Sequence, residues 1–179
     1  MDTTQLQTLK AAITGATDPT LIAARDAGNN TDIAAWFNVA SEFIVWRSST
    51  SVSEVQDAVV WANMTPAGAP DGTAAWTNRA LGCQGKQFNL QNLIVGRDQI
   101  NSGKANIRAG LQDALTNVPS GAGGAMQSAG WVTIRDAMKR AATRGEALFA
   151  TGTGTSGTPG SLVWEGTVTR ETIIDALAS

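Results

Sequence analysis

The chain has 179 residues, long enough for a real core, and 42% of them are apolar. Charged residues make up only 16%, and 13 basic against 15 acidic side chains leave a net charge of −2, without the basic excess of a dedicated DNA or RNA binder. No histidine or tyrosine is present and there is one cysteine, Cys83, which excludes Ser-His-Asp and Cys-His nucleophile arrangements, the usual zinc sites and an intrachain disulfide.

Taken in chain order, Thr4-Gln5-Leu6-Gln7 reads as a capping box opening a helix that carries Leu6, Leu9 and Ile13 on one face. Asp18-Pro19-Thr20 starts a short segment over 21–27, stopped by Gly28. Asn30 or Thr31 caps a third helix to about Asn38, burying Ile33, Trp36 and Phe37. Phe43-Ile44-Val45-Trp46 is either an extended piece or the end of that helix; four residues do not decide. Ser51-Val52-Ser53-Glu54 is a capping box whose helix buries Val55, Ala58, Val59 and Ala62. Prolines and glycines make 64–72 a loop. Helices are predicted over 73–81, 87–100 and 104–118, the last with Ile107, Leu111, Leu115 and Val118 on one stripe.

The strongest helical period is expected after the Gly-rich break at 119–124. There Trp131, Ile134, Met138, Ala141, Ala142, Leu148 and Phe149 recur at three- and four-residue steps. Arg135, Lys139, Arg140 and Arg144 would form a basic flank on this helix, either a solvated face partly offset by Asp136 and Glu146 or an electrostatic patch for an acidic neighbour or for DNA. Residues 151–160 contain only Thr, Gly, Ser and Pro and read as a flexible linker. Beyond it, 161–168 reads as a strand pair or bent strand, and Thr169 caps a last helix. The predicted class is mainly α: a helical body over 1–150, a Gly/Thr-rich tether over 151–160, and a small C-terminal β-plus-helix docking arm over 161–179. So short an arm buries little by itself, so Leu162, Val163, Trp164, Ile173, Ile174 and Leu177 are predicted to meet a partner surface, either the chain's own body or, as a subunit interface, a neighbouring subunit. The six tryptophans are expected as core anchors, except Trp164 in the arm.

The chemical motifs in the chain are weak. Gly152 to Gly157 matches GxGxxG, but the pattern requires a preceding strand and a following helix, and neither is predicted. Cys83, without a histidine to activate it, reads as a small buried residue. Glu42, Glu54, Glu146, Glu165 and Glu171 could in principle supply a glycosidase pair, yet no spacing selects two of them. The expectation is a protein with no catalytic residues, cofactor or metal. No leader and no apolar run near the roughly 18 residues of a membrane span is seen, so a cytoplasm-like compartment is expected.

The stretch from Arg140 to Gly154 (Arg-Ala-Ala-Thr-Arg-Gly-Glu-Ala-Leu-Phe-Ala-Thr-Gly-Thr-Gly), followed by Pro159 and Trp164-Glu165-Gly166, resembles an uncharacterised family of tailed-phage and prophage virion proteins. Thr3 to Lys10, Val45-Trp46-Arg47 with Ser51-Val52-Ser53, and Arg108-Ala109-Gly110-Leu111 fit the same pattern in order, with a looser match from Met64 to Gln99. The resemblance implies a structural role in the particle. A head-to-tail connector fits best: a ring, expected as a dodecamer, beneath the portal protein and next to a tail or nozzle protein. It would be assembled in the bacterial cytoplasm, with packaged DNA passing nearby and no membrane contact. The alternatives are a capsid decoration or tail-tube component and, less well supported, a carboxylate-pair muramidase.

Overall fold

A computed structural model describes residues 1–68 and 73–179. Among these the fold is mainly α, as predicted. The helices are α1 (Thr3–Thr14), α2 (Pro19–Asp26), α3 (Asn30–Phe37), α4 (Val52–Ala58), α5 (Thr73–Ile94), α6 (Ala105–Leu115), α7 (Trp131–Ala137), α8 (Arg144–Phe149) and α9 (Arg170–Ala178). The strands are short: β1 (Ala40–Trp46), β2 (Thr50–Ser51), β3 (Gln99–Ile100) and β4 (Lys139–Thr143).

The chain divides into two compact units: Met1–Trp46 with Arg140–Ser179, and Arg47–Lys139. This partition differs from the predicted body, tether and arm, because the C-terminal residues complete the core of the N-terminal ones. In the first unit Leu9, Ile13, Leu21, Ile33 and Phe37 from α1, α2 and α3 bury one another together with Val168, Ile173 and Ala176. Asn38 fixes the returning chain: its amide donates to the Val168 carbonyl at 2.8 Å and its Oδ1 accepts the Val168 N–H at 2.9 Å.

Side-chain caps explain most helix starts. Asp2, rather than Thr4, caps α1, in a reciprocal box with Gln5; the predicted box lies two residues too far along, since the Asp2 carboxylate accepts the Gln5 N–H at 2.8 Å and starts the helix earlier. Asp18, Asn29, Ser51 and Thr169 cap α2, α3, α4 and α9. α4 ends at Ala58, and Ala62, expected buried, is exposed in a 3-10 turn over Trp61–Met64. The remainder of the predicted 64–72 loop lies partly outside the described residues.

Phe43 to Trp46 belongs to strand β1. One edge of β1 pairs with β4, and the end bonds, Arg144 N–H to Val39 and Arg47 N–H to Met138, run antiparallel. The other edge is occupied by the segment predicted to be a tether. Ile44 N–H donates to Gly154 O at 2.7 Å, Gly160 N–H to Ile44 O at 2.8 Å, and Trp46 N–H to Gly160 O at 3.1 Å. A Cβ at Gly154 or Gly160 would overlap the Phe43 ring, and Gly154 has φ +65°. The glycines are thus there so that backbone can lie flat on an aromatic ring. The following 161–168 stretch forms no strand pair; only Ser161 bridges, to Thr151.

The long helix predicted from Trp131 to Phe149 is the largest departure. It is three elements, α7, β4 and α8. Thr143 and Glu146 make a capping box that opens α8, and a helix start inside a helix is a contradiction the backbone resolves by extending just before it.

In the second unit the departure runs the other way. The helices predicted over 73–81 and 87–100 are joined into α5, 22 residues long, and Ile100 lies in β3. α5 buries Cys83, Leu90 and Ile94 and packs on α6, where Leu111, Ala114 and Leu115 are buried. Lys86 ties the two helices by an ion pair to Asp113 at 3.0 Å. β2 and β3 pair antiparallel, Thr50 opposite Ile100, and beneath them Thr50 Oγ1 donates to Ser102 Oγ, which donates to Arg47 O.

Candidate interaction surfaces

The basic flank predicted on one helix does not exist as a continuous stripe. Arg135 and Lys139 belong to the second unit, and both contact Asp136, at 3.0 and 2.8 Å. Arg140 and Arg144 belong to the first. Arg140 is held by two carboxylates, with Glu146 at 2.6 and 2.8 Å and Glu165 at 2.9 Å. The bidentate Glu146 contact raises the Arg140 pKa. Glu146 is buried. Burial pushes its carboxyl up, but Arg140 and the Thr143 N–H outweigh this and hold it below its ordinary value. Arg144 stands with its guanidinium 4.3 Å from the Trp36 ring centroid.

The six residues predicted to form the docking arm separate. Ile173 is fully buried in the first unit's own core. Trp164 packs edge-on to Phe149 at 5.8 Å between ring centroids, and Leu162 is half-buried. Val163, Ile174 and Leu177 remain exposed. The arm is therefore docked on its own chain. The tryptophans are not the deep anchors expected: Trp61 and Trp76 are exposed and the other four half-buried. The largest fully buried side chains are Phe37, Leu, Ile and Met residues. Cys83 is buried, and that burial pushes its thiol pKa up although Arg79 opposes it. The GxGxxG match at Gly152 to Gly157 follows α8 and opens no helix.

A surface the sequence reading missed lies on α5. Leu81, Phe88 and Val95 are 61, 62 and 71% exposed. Leu81 and Phe88 lie on α5 and Val95 immediately follows its last residue, held by its N–H to Gln91 O at 2.8 Å; the three recur every seven residues, on a face turned away from buried Cys83, Leu90 and Ile94. Gln84 and Gln91 fill the intervening positions, so the steps 81, 84, 88, 91, 95 are those of a coiled-coil seam, free of ionisable groups. The clue was available: once the helix is continuous, apolar residues fall on two opposite faces, one more than a core requires.

A second feature lies in the first unit. Ala12, Ala16, Leu21, Phe37 and Leu148 floor a cleft of about 320 Å³ whose rim carries Asp18, Trp36 and Arg144. Asp18 Oδ1 accepts from Thr20 and Leu21 N–H and from Trp36 Nε1–H at 3.1 Å. Among these the Leu21 bond does most to hold the Asp18 pKa below its ordinary value, against desolvation.

The chain matches no family model, no curated protein and no solved structure at a significant level. Among the described residues no helix is long and apolar enough to cross a membrane, and no three acidic or thiol side chains converge as metal ligands.

Proposed function

We propose that the chain is a structural subunit of a tailed-phage particle, a head-to-tail connector that forms a ring beneath the portal and acts through contacts with other subunits. The observation that carries the subunit role is the α5 seam. Three large apolar side chains, Leu81 and Phe88 on α5 and Val95 just past its end, spread over about 21 Å and lose their contact with water only if another surface covers them. The phage context rests on the ordered resemblance along the chain. In this reading the seam, and not the C-terminal residues, is the contact between subunits, since the C-terminal residues are used within the first unit. The four cations Arg135, Lys139, Arg140 and Arg144 have acidic or aromatic neighbours of their own, so the proposal assigns them no DNA contact.

A muramidase requires a carboxylic acid that is protonated at its working pH. Of the carboxylates brought together here, Glu146 is held ionised beside Glu165 by Arg140, which disfavours that reading. The test is cryo-electron microscopy of purified particles with local symmetry analysis. Density for this chain at the head-to-tail vertex, with twelve-fold symmetry and α5 against a neighbouring subunit, is the expected result. Density on the capsid lattice or along the tail would favour the decoration or tail-tube role instead, and absence from the particle would overturn the proposal.

A further inference from the structure

We infer that the cleft beside α3 is a binding site for a monocarboxylate carried on an apolar group about the size of one aliphatic amino acid. Three observations converge on it. The first is an unspent donor set. A guanidinium presents five N–H groups in a fork that matches a carboxylate. Among the described residues no side-chain hydrogen bond or ion pair satisfies that of Arg144; it stacks on the Trp36 ring at 4.3 Å and attracts the Asp18 carboxylate without bonding it. Its backbone N–H is occupied by Val39 O at 2.9 Å, which anchors the residue independently of its side chain.

The second observation is the fixed geometry around that donor. Trp36 is braced twice, by its indole N–H on Asp18 Oδ1 at 3.1 Å and by an edge-on contact with Phe37 at 5.0 Å. The stacked guanidinium thus rests on a surface that does not need to reorganise when a ligand arrives. The third is the floor. Ala12, Ala16, Leu21, Phe37 and Leu148 are all apolar, and the cleft volume of about 320 Å³ is at the small end for ligand sites. An apolar group fills it while a carboxylate reaches the rim.

The charges set the ligand's limits. Asp18 lies on the same rim, and Asp32 lines an adjoining hollow that shares Asp18, Trp36 and Arg144 with the cleft. Asp18 Oδ1 is engaged by three donors and its carboxylate is attracted to Arg144 across the cleft, so it offsets part of the Arg144 charge without a direct bond to the fork, and both carboxylates repel a multiply charged anion. One negative charge, next to an aliphatic group, is the complement. The same chemistry is presented by a free acyl-amino acid and by an acidic residue flanked by a leucine in a neighbouring polypeptide.

The test follows the Trp36 indole N–H resonance in a two-dimensional NMR titration of the full chain. The probes are N-acetyl-leucinate, its neutral amide, and a short end-blocked peptide containing Leu-Glu. We expect N-acetyl-leucinate or the peptide to shift Trp36, with the amide weaker by about tenfold or more and Arg144→Gln weaker by a similar factor. Arg144→Lys should fall between, because it keeps the charge and loses the fork. A response to the peptide alone would identify a protein segment as the source; a response to both would identify the shared group. If neither carboxylate moves Trp36, or the amide moves it equally well, the inference is overturned. The amide comparison uses the unmodified protein and so stands even if a variant fails to fold.

Discussion

At the scale of single residues, the Arg140 cluster joins a buried carboxylate to a guanidinium shared with Glu165. Glu146 is 4% exposed, caps α8 through Thr143 and holds Arg140 in a bidentate pair. Truncating one partner of a buried pair leaves an uncompensated charge. With Arg140 itself 29% exposed, Glu146→Ala is expected to cost about 2–4 kcal/mol, read as a lowered denaturant midpoint. Glu54 gives a pH prediction. Arg47 first, then the Ser51 N–H and hydroxyl, hold its pKa at about 2, below its ordinary value. Such a depressed carboxylate contributes stability that is present above about pH 4.5 and is lost as pH falls through 2. Its side chain is 41% exposed, so the contribution is screened to about 1 kcal/mol or less. Glu54→Gln should therefore narrow the gap between stabilities measured at pH 6 and near pH 2, chiefly by lowering the former. An unchanged gap would refute the assignment. Both residues were legible in different degrees. Ser51-x-x-Glu54 announces its cap in the sequence, whereas the equivalent Thr143-x-x-Glu146 lies inside a run whose apolar spacing points to a continuous helix.

At the scale of elements, that run shows what periodicity omits. Ile134, Met138 and Ala142 lie four apart and are all buried, so the helical period was present in the residues. Ile134 is buried from α7, Met138 from the residue capping its end and Ala142 from β4, so the spacing of four does not mean one helix face. A local hydrogen-bonding signal outweighed the pattern because capping satisfies backbone groups that no side-chain stripe can satisfy. α5 departs in the opposite sense: the two predicted helices are continuous through Gly82 and Gly85, whose low helix propensity is overridden by packing on α6. The two glycines are also predicted to differ. A Cβ at Gly85 meets nothing within 4 Å, whereas one at Gly82 meets Pro119 Cγ at 2.8 Å. Gly85→Ala should raise stability by about 0.5–1 kcal/mol through helix propensity alone. Gly82→Ala should lose that gain or reverse it, because the proline ring has to shift. Thermal unfolding of the two single variants, compared side by side, tests the path of α5 through residues 82–86.

At the scale of the whole molecule, composition gave no way to see that the chain closes on itself. The Thr/Gly/Ser/Pro run at 151–160 has the content of a tether, and nothing in a list of small polar residues reveals that Phe43, more than a hundred positions earlier, requires glycine backbone against its ring. The same long-range pairing makes the C-terminal residues part of the first unit's core. Val168, Ile173 and Ala176 are at most 1% exposed there. Burying the first two alone contributes about 3–6 kcal/mol, on the order of a domain's entire net stability. Deleting residues 151–179 should therefore unfold Met1–Trp46, where a docking arm on a tether would have left a folded body behind. The second unit, Arg47–Lys139, contains none of the deleted residues. Hydrogen exchange on the truncated chain is expected to show lost protection in α1, α2 and α3 and retained protection in α5 and α6. Protection retained in α1 to α3 would mean that α9 contributes little to their core. Loss in α5 and α6 as well would mean that the two units fold only as one.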